Sequence, residues 1–180
     1  LLAVQKPTNE PWSIPASTSA ANTDDMVDLV VKIVDFLVKT FPIDADRIYV
    51  SGVSSGGTAC WELAIRHPER FAAIAPLAST GADLQRADRL AEIPIRAFHS
   101  TYDMGCPAGM VRLSVETINA AGGNASLIEI ESNRHDCWTA AFEQHNLLDW
   151  LLLQSRALPP RVLFTPTFLR NCQESIAAYA

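Results

Sequence analysis

The stretch YVSGVSSGGTACW, residues 49–61, decides how this chain folds, because an apolar run stops abruptly at two serines flanked by glycines. Residues 52–56 match the pattern G-x-S-x-G, which is typical of a very sharp turn from a strand into a helix. Glycines on both sides of such a turn let neighbouring chain pass without a side-chain clash. We therefore expect a strand over residues 47–53, with Ser54 held out at its carboxyl end.

A glycine-rich turn without chemistry and a loop that cradles phosphate are the alternatives to a nucleophilic serine. Neither G-x-x-x-x-G-K-[ST] nor G-x-G-x-x-G is present, which disfavours nucleotide binding. The strand before the turn and the helical spacing of residues 56–67 after it favour the nucleophile. In that interpretation the backbone N–H of Ser55, at a helix N-terminus, is the candidate oxyanion donor.

The composition is typical of one globular domain with a sizeable core. Of the 180 residues, 48% are hydrophobic and 19% are charged. A formal net charge of −6 gives no basic field that would attract nucleic acid. The longest apolar stretch, residues 26–38, is interrupted by charges at helical spacing, so we expect an amphipathic helix rather than a membrane span. The cysteines show no zinc spacing, and we expect no metal site.

Helical and strand patterns alternate along the chain. Besides the elements at the serine turn, we predict helices from Thr23 to about Lys39, over 108–123 and over 138–154, and strands over 71–78, 94–100 and 125–132. This alternation predicts an α/β domain over residues 1–154, with a mostly parallel sheet covered by helices on both faces. Residues 155–180 are expected to form a C-terminal extension.

A serine nucleophile needs a base, and the base must be oriented by an acid. In an α/β fold with this turn the expected order is serine, acid, histidine, with acid and base on loops after later strands. Asp103 and His135 each follow a predicted strand, so they should reach the same sheet edge as Ser54. Asp83 is the reserve acid. Among the other histidines, His99 ends a strand, where it could brace the acid loop.

Three separate motifs together resemble the carboxyl-terminal part of the α/β-hydrolase superfamily. They are DADRIYVSGVSSGGTACWELAIRHPERFAAIAPLAS at 44–79, PIRAFHSTYD at 94–103 and RHDCWTAAF at 134–142. The most similar group is the esterases related to polyhydroxybutyrate depolymerases and feruloyl esterases, which includes predicted peptidases. The resemblance implies a serine hydrolase that needs no cofactor and acts on small or polymeric carboxylic esters.

By this resemblance Ser54 is the nucleophile, Asp103 the acid and His135 the base. The family usually has His-Gly where this chain has His99 and Ser100. An early strand ending in an HG-type loop, which donates the second oxyanion N–H, has no match here, so we interpret the sequence as a fragment that lacks about the first three strands. A serine peptidase with the same machinery and a non-catalytic truncated domain are the alternative functions.

Cys106 and Cys137 follow the acid and the base by a few residues, in loops that must converge if Asp103 meets His135. A disulfide between them would join these loops and would fit an oxidising, secreted or periplasmic setting. The alternative is two unpaired thiols near a cleft. Nothing else in the sequence indicates a location.

Overall fold

The computed structural model describes residues 1–8, 10–12 and 25–157. Thr23, where the first helix was predicted to begin, lies outside the described residues. The same holds for residues 158–180, which make up nearly all of the predicted C-terminal extension.

In the described part of the chain, four parallel strands form one sheet, and they stand side by side in the order of the sequence. The strands are β1 (Tyr49–Val53), β2 (Ala73–Leu77), β3 (Ile95–Ser100) and β4 (Ala125–Ile130). Tyr49 lies opposite Ala73, and Ile95 lies opposite Ala125. Parallel pairing brings all four carboxyl ends to one edge of the sheet, and the predicted parallel α/β architecture is confirmed.

The α-helices within the described ranges are α1 (Met26–Thr40), α2 (Ser55–Arg66), α3 (Gly109–Ala120), α4 (Trp138–Glu143) and α5 (Leu147–Leu152). Short 3-10 helices occupy Ala45–Arg47, Pro68–Arg70 and Leu84–Leu90. None of the helices in the described residues combines the length and apolar character needed to cross a membrane.

The single helix predicted over residues 138–154 is wrong, because the structure has two short helices there. Asn146, between α4 and α5, has φ +48° and ψ 44°, which is the left-handed region. A residue in that conformation interrupts the right-handed helix and redirects the chain. The apolar spacing of the segment continues across the break, so periodicity alone could not reveal it.

The two faces of the sheet carry separate buried clusters. One cluster joins residues of α1, α2 and α3 to the sheet, with Trp61 and Ile65 of α2 almost fully buried. The other joins α4 and α5 to the opposite face, where Phe98 of β3 and Leu147 of α5 are fully buried. Burial on both faces explains why β2, whose five residues are all buried, reads as a short apolar run rather than as an alternating pattern.

The turn from β1 into α2 depends on close approach of backbone to backbone. A Cβ atom on Gly52 would lie 2.4 Å from the carbonyl oxygen of Gly56, and one on Gly57 would lie 2.6 Å from that of Leu77. Neither oxygen can move away without shifting the main chain, so glycine is required at both positions.

We expect Gly52→Ala to lower the free energy of unfolding by about 1–3 kcal/mol, because the added methyl group forces the turn apart. Gly56→Ala is the matched control, since a Cβ there meets nothing within 4 Å and alanine favours the helix. Urea unfolding of both variants tests this. Equal destabilisation by the two substitutions would contradict the steric argument.

Candidate active site

Ser54 occupies the turn between β1 and α2 in a strained backbone conformation, with φ 56° and ψ −120°. Its N–H donates to the carbonyl oxygen of Leu77 at 2.9 Å, and its carbonyl oxygen accepts from the N–H of Thr58 at 3.0 Å. These bonds tie the strained residue to β2 on one side and to α2 on the other. The result is a serine held at the carboxyl edge of the sheet, directly before a helix N-terminus.

The loop after β3 holds a buried carboxylate. Asp103 is 6% exposed, and its Oδ1 accepts from the N–H of Gly105 at 2.9 Å and from that of Cys106 at 3.0 Å. Its Oδ2 accepts a hydrogen bond from Nδ1 of His135, in the loop after β4. The structure therefore brings the predicted acid and the predicted base into direct contact.

Hydrogen bonds keep this carboxylate ionised in spite of its burial. Burial by itself raises the pKa of Asp103, but the bonds from His135, Cys106 and Gly105 outweigh that effect and hold the pKa below its usual range. An ionised Asp103 accepts from Nδ1–H of His135 and leaves the other ring nitrogen, Nε2, available as a base.

Ser54 and His135 border the same cavity, which has a volume of about 890 Å³. The side chain of His135 is 39% exposed, and its ring meets the ring of Trp138 edge-on at a centroid distance of 5.9 Å. Among the described residues, no hydrogen bond joins the Ser54 hydroxyl to His135. In unliganded active sites such bonds are often long and shorten when substrate binds.

The reserve acid, Asp83, also borders this cavity. Its carboxylate accepts from the N–H of Gln85 at 3.0 Å and so caps the 3-10 helix Leu84–Leu90. Asp83 therefore has a local structural role, whereas Asp103 contacts the histidine.

Of the two alternatives for Cys106 and Cys137, the structure has the unpaired thiols, because both are free cysteines. Cys137 is fully buried, and its thiol donates to the carbonyl oxygen of Phe98 at 3.3 Å. Burial raises the pKa of this thiol to about 11. Cys106 instead borders the cavity. The two loops do converge, but they do so through Asp103 and His135, and the thiol of Cys137 faces the core.

The two backbone donors to Asp103 were not predicted from the sequence. In the Met-Gly-Cys segment that follows this aspartate, the backbone N–H groups of Gly105 and Cys106 bind its side chain. Aspartate often accepts from N–H groups two or three residues further along the chain, so the sequence did carry a signal for these donors. The cavity walls from parts of the chain far from Ser54, such as Trp12 and Thr80, were not predicted either. No local pattern indicates those. Within the residues that the structure describes, no cluster of His, Cys, Asp or Glu could hold a metal ion.

A sequence profile described as the prolyl oligopeptidase family matches residues 17–108. Among solved structures, the chain is similar to a thermostable esterase, with 32% identity and a TM-score of 0.67. It is also similar to Arabidopsis thaliana SOBER1 (16% identity, TM-score 0.59) and to Pyrococcus horikoshii acylaminoacyl peptidase (14%, 0.63). At the last two identities the likeness concerns the fold alone. No curated protein matches the chain significantly.

These similarities cover most of this chain but less of its relatives. The match covers 71% of this chain and 36% of the esterase, 70% and 61% for SOBER1, and 76% and 29% for the peptidase. The chain thus spans about a third of the esterase and less than two thirds of the others. The shared architecture confirms the predicted α/β-hydrolase fold.

The lowered pKa of Asp103 predicts a pH-dependent contribution to stability. A carboxyl with a depressed folded-state pKa stabilises the fold above its ordinary pKa of about 3.9 and loses that contribution as pH falls through the folded-state pKa. We expect Asp103→Asn to lower the free energy of unfolding by about 1–3 kcal/mol at pH 7. The difference from the unsubstituted protein should shrink as the pH falls below about 4.

Urea unfolding at a series of pH values measures this difference. Asp83→Asn is the control, because asparagine caps helices as well as aspartate does and should change stability little. An Asp103→Asn deficit that stays constant down to pH about 2 would show that the ionised form has no special role.

Proposed function

This chain belongs to the prolyl oligopeptidase family, and from that premise we propose that it is a serine hydrolase of carboxylic esters. The observation that carries the proposal is the contact between Asp103 and His135, beside the cavity that Ser54 also borders. A base oriented by a buried acid, next to a serine in a strained strand-to-helix turn, is the arrangement that activates a hydroxyl for attack on a carbonyl.

In the proposed reaction, Ser54 Oγ attacks the ester carbonyl carbon while Nε2 of His135 takes its proton. Asp103 keeps the imidazole in the required tautomer and stabilises its charged form. The protonated Nε2 then gives its proton to the leaving alcohol, and an acyl group remains on Ser54. Water, activated by His135 in the same way, releases the acid and restores the serine.

The tetrahedral intermediates of both steps carry a negative oxygen that needs a hydrogen-bond donor. The first N–H groups of a helix have no partner within the helix. Ser55 is the first residue of α2, so its N–H is our candidate donor, supported by the positive end of the helix dipole.

The ester preference is supported by the thermostable esterase, the comparison with 32% identity. The motif resemblance to polyhydroxybutyrate depolymerases and feruloyl esterases points the same way and leaves polymeric, feruloyl and small acetyl esters as candidate substrates. The cavity is bordered by Trp12 and Trp61 as well as by polar side chains, which suits an acyl group with an apolar part.

A peptidase activity is the second candidate. It is favoured by the match to the prolyl oligopeptidase family and by the similarity in fold to an acylaminoacyl peptidase. The same serine, base and acid would serve amide cleavage, in which the protonated His135 gives its proton to the leaving amine instead of to an alcohol.

Reaction with a fluorophosphonate probe, followed by mass spectrometry of the labelled peptide, tests the nucleophile and the base together. We expect labelling at Ser54 that is lost in Ser54→Ala and falls by about 10⁴-fold or more in rate in His135→Ala. Ser55→Ala is the matched control, because it keeps the backbone N–H and should still be labelled. A folded protein that is not labelled would overturn the proposed function and favour a non-catalytic domain.

Paired ester and amide substrates with the same acyl group separate the two candidate activities. We expect kcat/KM for the ester to exceed that for the amide by at least about 10³-fold, and both to be lost in Ser54→Ala. A comparable kcat/KM for both substrates would instead favour the peptidase.

A further inference from the structure

We propose that His99 is a positioning residue that anchors the acid loop, residues 103–106, so that the Asp103 carboxylate stays aimed at His135. This inference rests on the proposed function, because the anchoring matters for rate only if Asp103 and His135 act in catalysis. His99 does not touch the reacting atoms in this proposal. It acts through the backbone of Cys106.

The anchor is a hydrogen bond between the His99 ring and the acid loop. Nε2 of His99 lies 2.5 Å from the carbonyl oxygen of Cys106. A carbonyl oxygen can only accept, so Nε2 carries the proton and donates it. Within the described part of the chain, Nδ1 of His99 has no hydrogen-bond partner, and Nε2 lies 3.9 Å from Oδ2 of Asp103, beyond direct bonding.

His99 itself has a fixed position from which it can anchor the acid loop. His99 is fully buried, and it lies on β3, which pairs with β2 on one side and β4 on the other. In the parallel register it stands opposite Glu129 of β4. A buried side chain on an interior strand has its rotamer fixed by packing, so its donor atom has a defined position.

The acid loop, by contrast, has little burial of its own to order it. Met104 is 90% exposed, and Gly105 is also exposed. The loop is held by the bonds from Gly105 and Cys106 N–H to Oδ1 of Asp103 and by the bond from His99 to the Cys106 carbonyl. The backbone N–H of Cys106 therefore donates to the Asp103 carboxylate, and its carbonyl oxygen accepts from the side chain of His99 on β3.

Loss of the His99 bond would free the Cys106 end of the loop. The two N–H groups could then leave Oδ1, and the carboxylate could rotate away from the direction in which it meets His135. A small misplacement of a group that orients a base lowers the rate of the chemical step without altering substrate binding. The expected signature is a loss in kcat with little change in KM.

The experiment compares His99→Leu with His99→Gln in the full chain. Leucine fills the space without a donor, whereas the glutamine amide nitrogen reaches about where Nε2 lies. Amide hydrogen exchange of Gly105 and Cys106, measured by NMR, reports the anchoring directly. The kcat and KM for an ester substrate that the unsubstituted protein hydrolyses report its effect on the reaction.

We expect His99→Leu to speed amide exchange of Gly105 and Cys106 by at least about tenfold. It should lower kcat by about 10–100-fold with KM nearly unchanged. His99→Gln should restore most of both properties. His145→Leu is the matched control, because its ring lies against Phe98 of the same strand at a centroid distance of 5.7 Å and should leave both amide rates unchanged.

Unchanged amide exchange in folded His99→Leu overturns the proposal, and so does an equal loss of kcat in the leucine and glutamine variants. If the unsubstituted protein hydrolyses nothing, the proposed function fails, and faster exchange in His99→Leu that His99→Gln reverses still supports the anchor. If His99→Leu does not fold, His99→Asn takes its place, since the shorter asparagine amide does not reach the Cys106 carbonyl.

Discussion

The close approach of backbone to backbone where β1 enters α2 governs the geometry of the whole fold. Gly52 and Gly57 leave no room for a Cβ, and the chain between them forces Ser54 into a conformation that is costly for a residue with a side chain. The hydrogen bond from Ser54 to Leu77 ties this turn to the second strand. Packing of α2, whose Trp61 and Ile65 are almost completely buried, stabilises the fold and offsets this backbone strain.

Parallel pairing extends the effect of this turn to the other candidate residues. In a parallel sheet all strands end at the same edge, so loops that are far apart in sequence become neighbours in space. Asp103 follows β3 and His135 follows β4, two adjacent strands in register. The contact between their side chains is thus a consequence of topology, and the cavity forms where these loops face the serine turn.

Within the acid loop, hydrogen bonds rather than hydrophobic packing hold the chain in place. Asp103 is buried, yet it keeps its charge because His135 and two backbone N–H groups bind the carboxylate. The nearby thiol of Cys137 differs, because it is buried without a cationic partner. Burial raises its pKa, so the thiol stays protonated and Cys137 is an inert core residue. Neighbouring positions in two converging loops therefore differ in chemistry because their hydrogen-bond partners differ.

Features that depend on neighbours along the chain could be predicted from the sequence. The alternation of helical and strand periods predicted the parallel α/β sheet, because the spacing of apolar residues reflects which face of each element is buried. The same spacing placed Asp103 and His135 at strand ends. The glycines around Ser54 predicted the sharp turn, because the close approach of backbone leaves no room for a Cβ at Gly52. The folded structure was needed to show which of Asp103 and Asp83 contacts the histidine and that Cys137 faces the core. It was also needed to show that the last predicted helix breaks at Asn146 and which distant residues border the cavity. Those outcomes depend on distances and directions across the fold, and a linear pattern of residue types does not contain them.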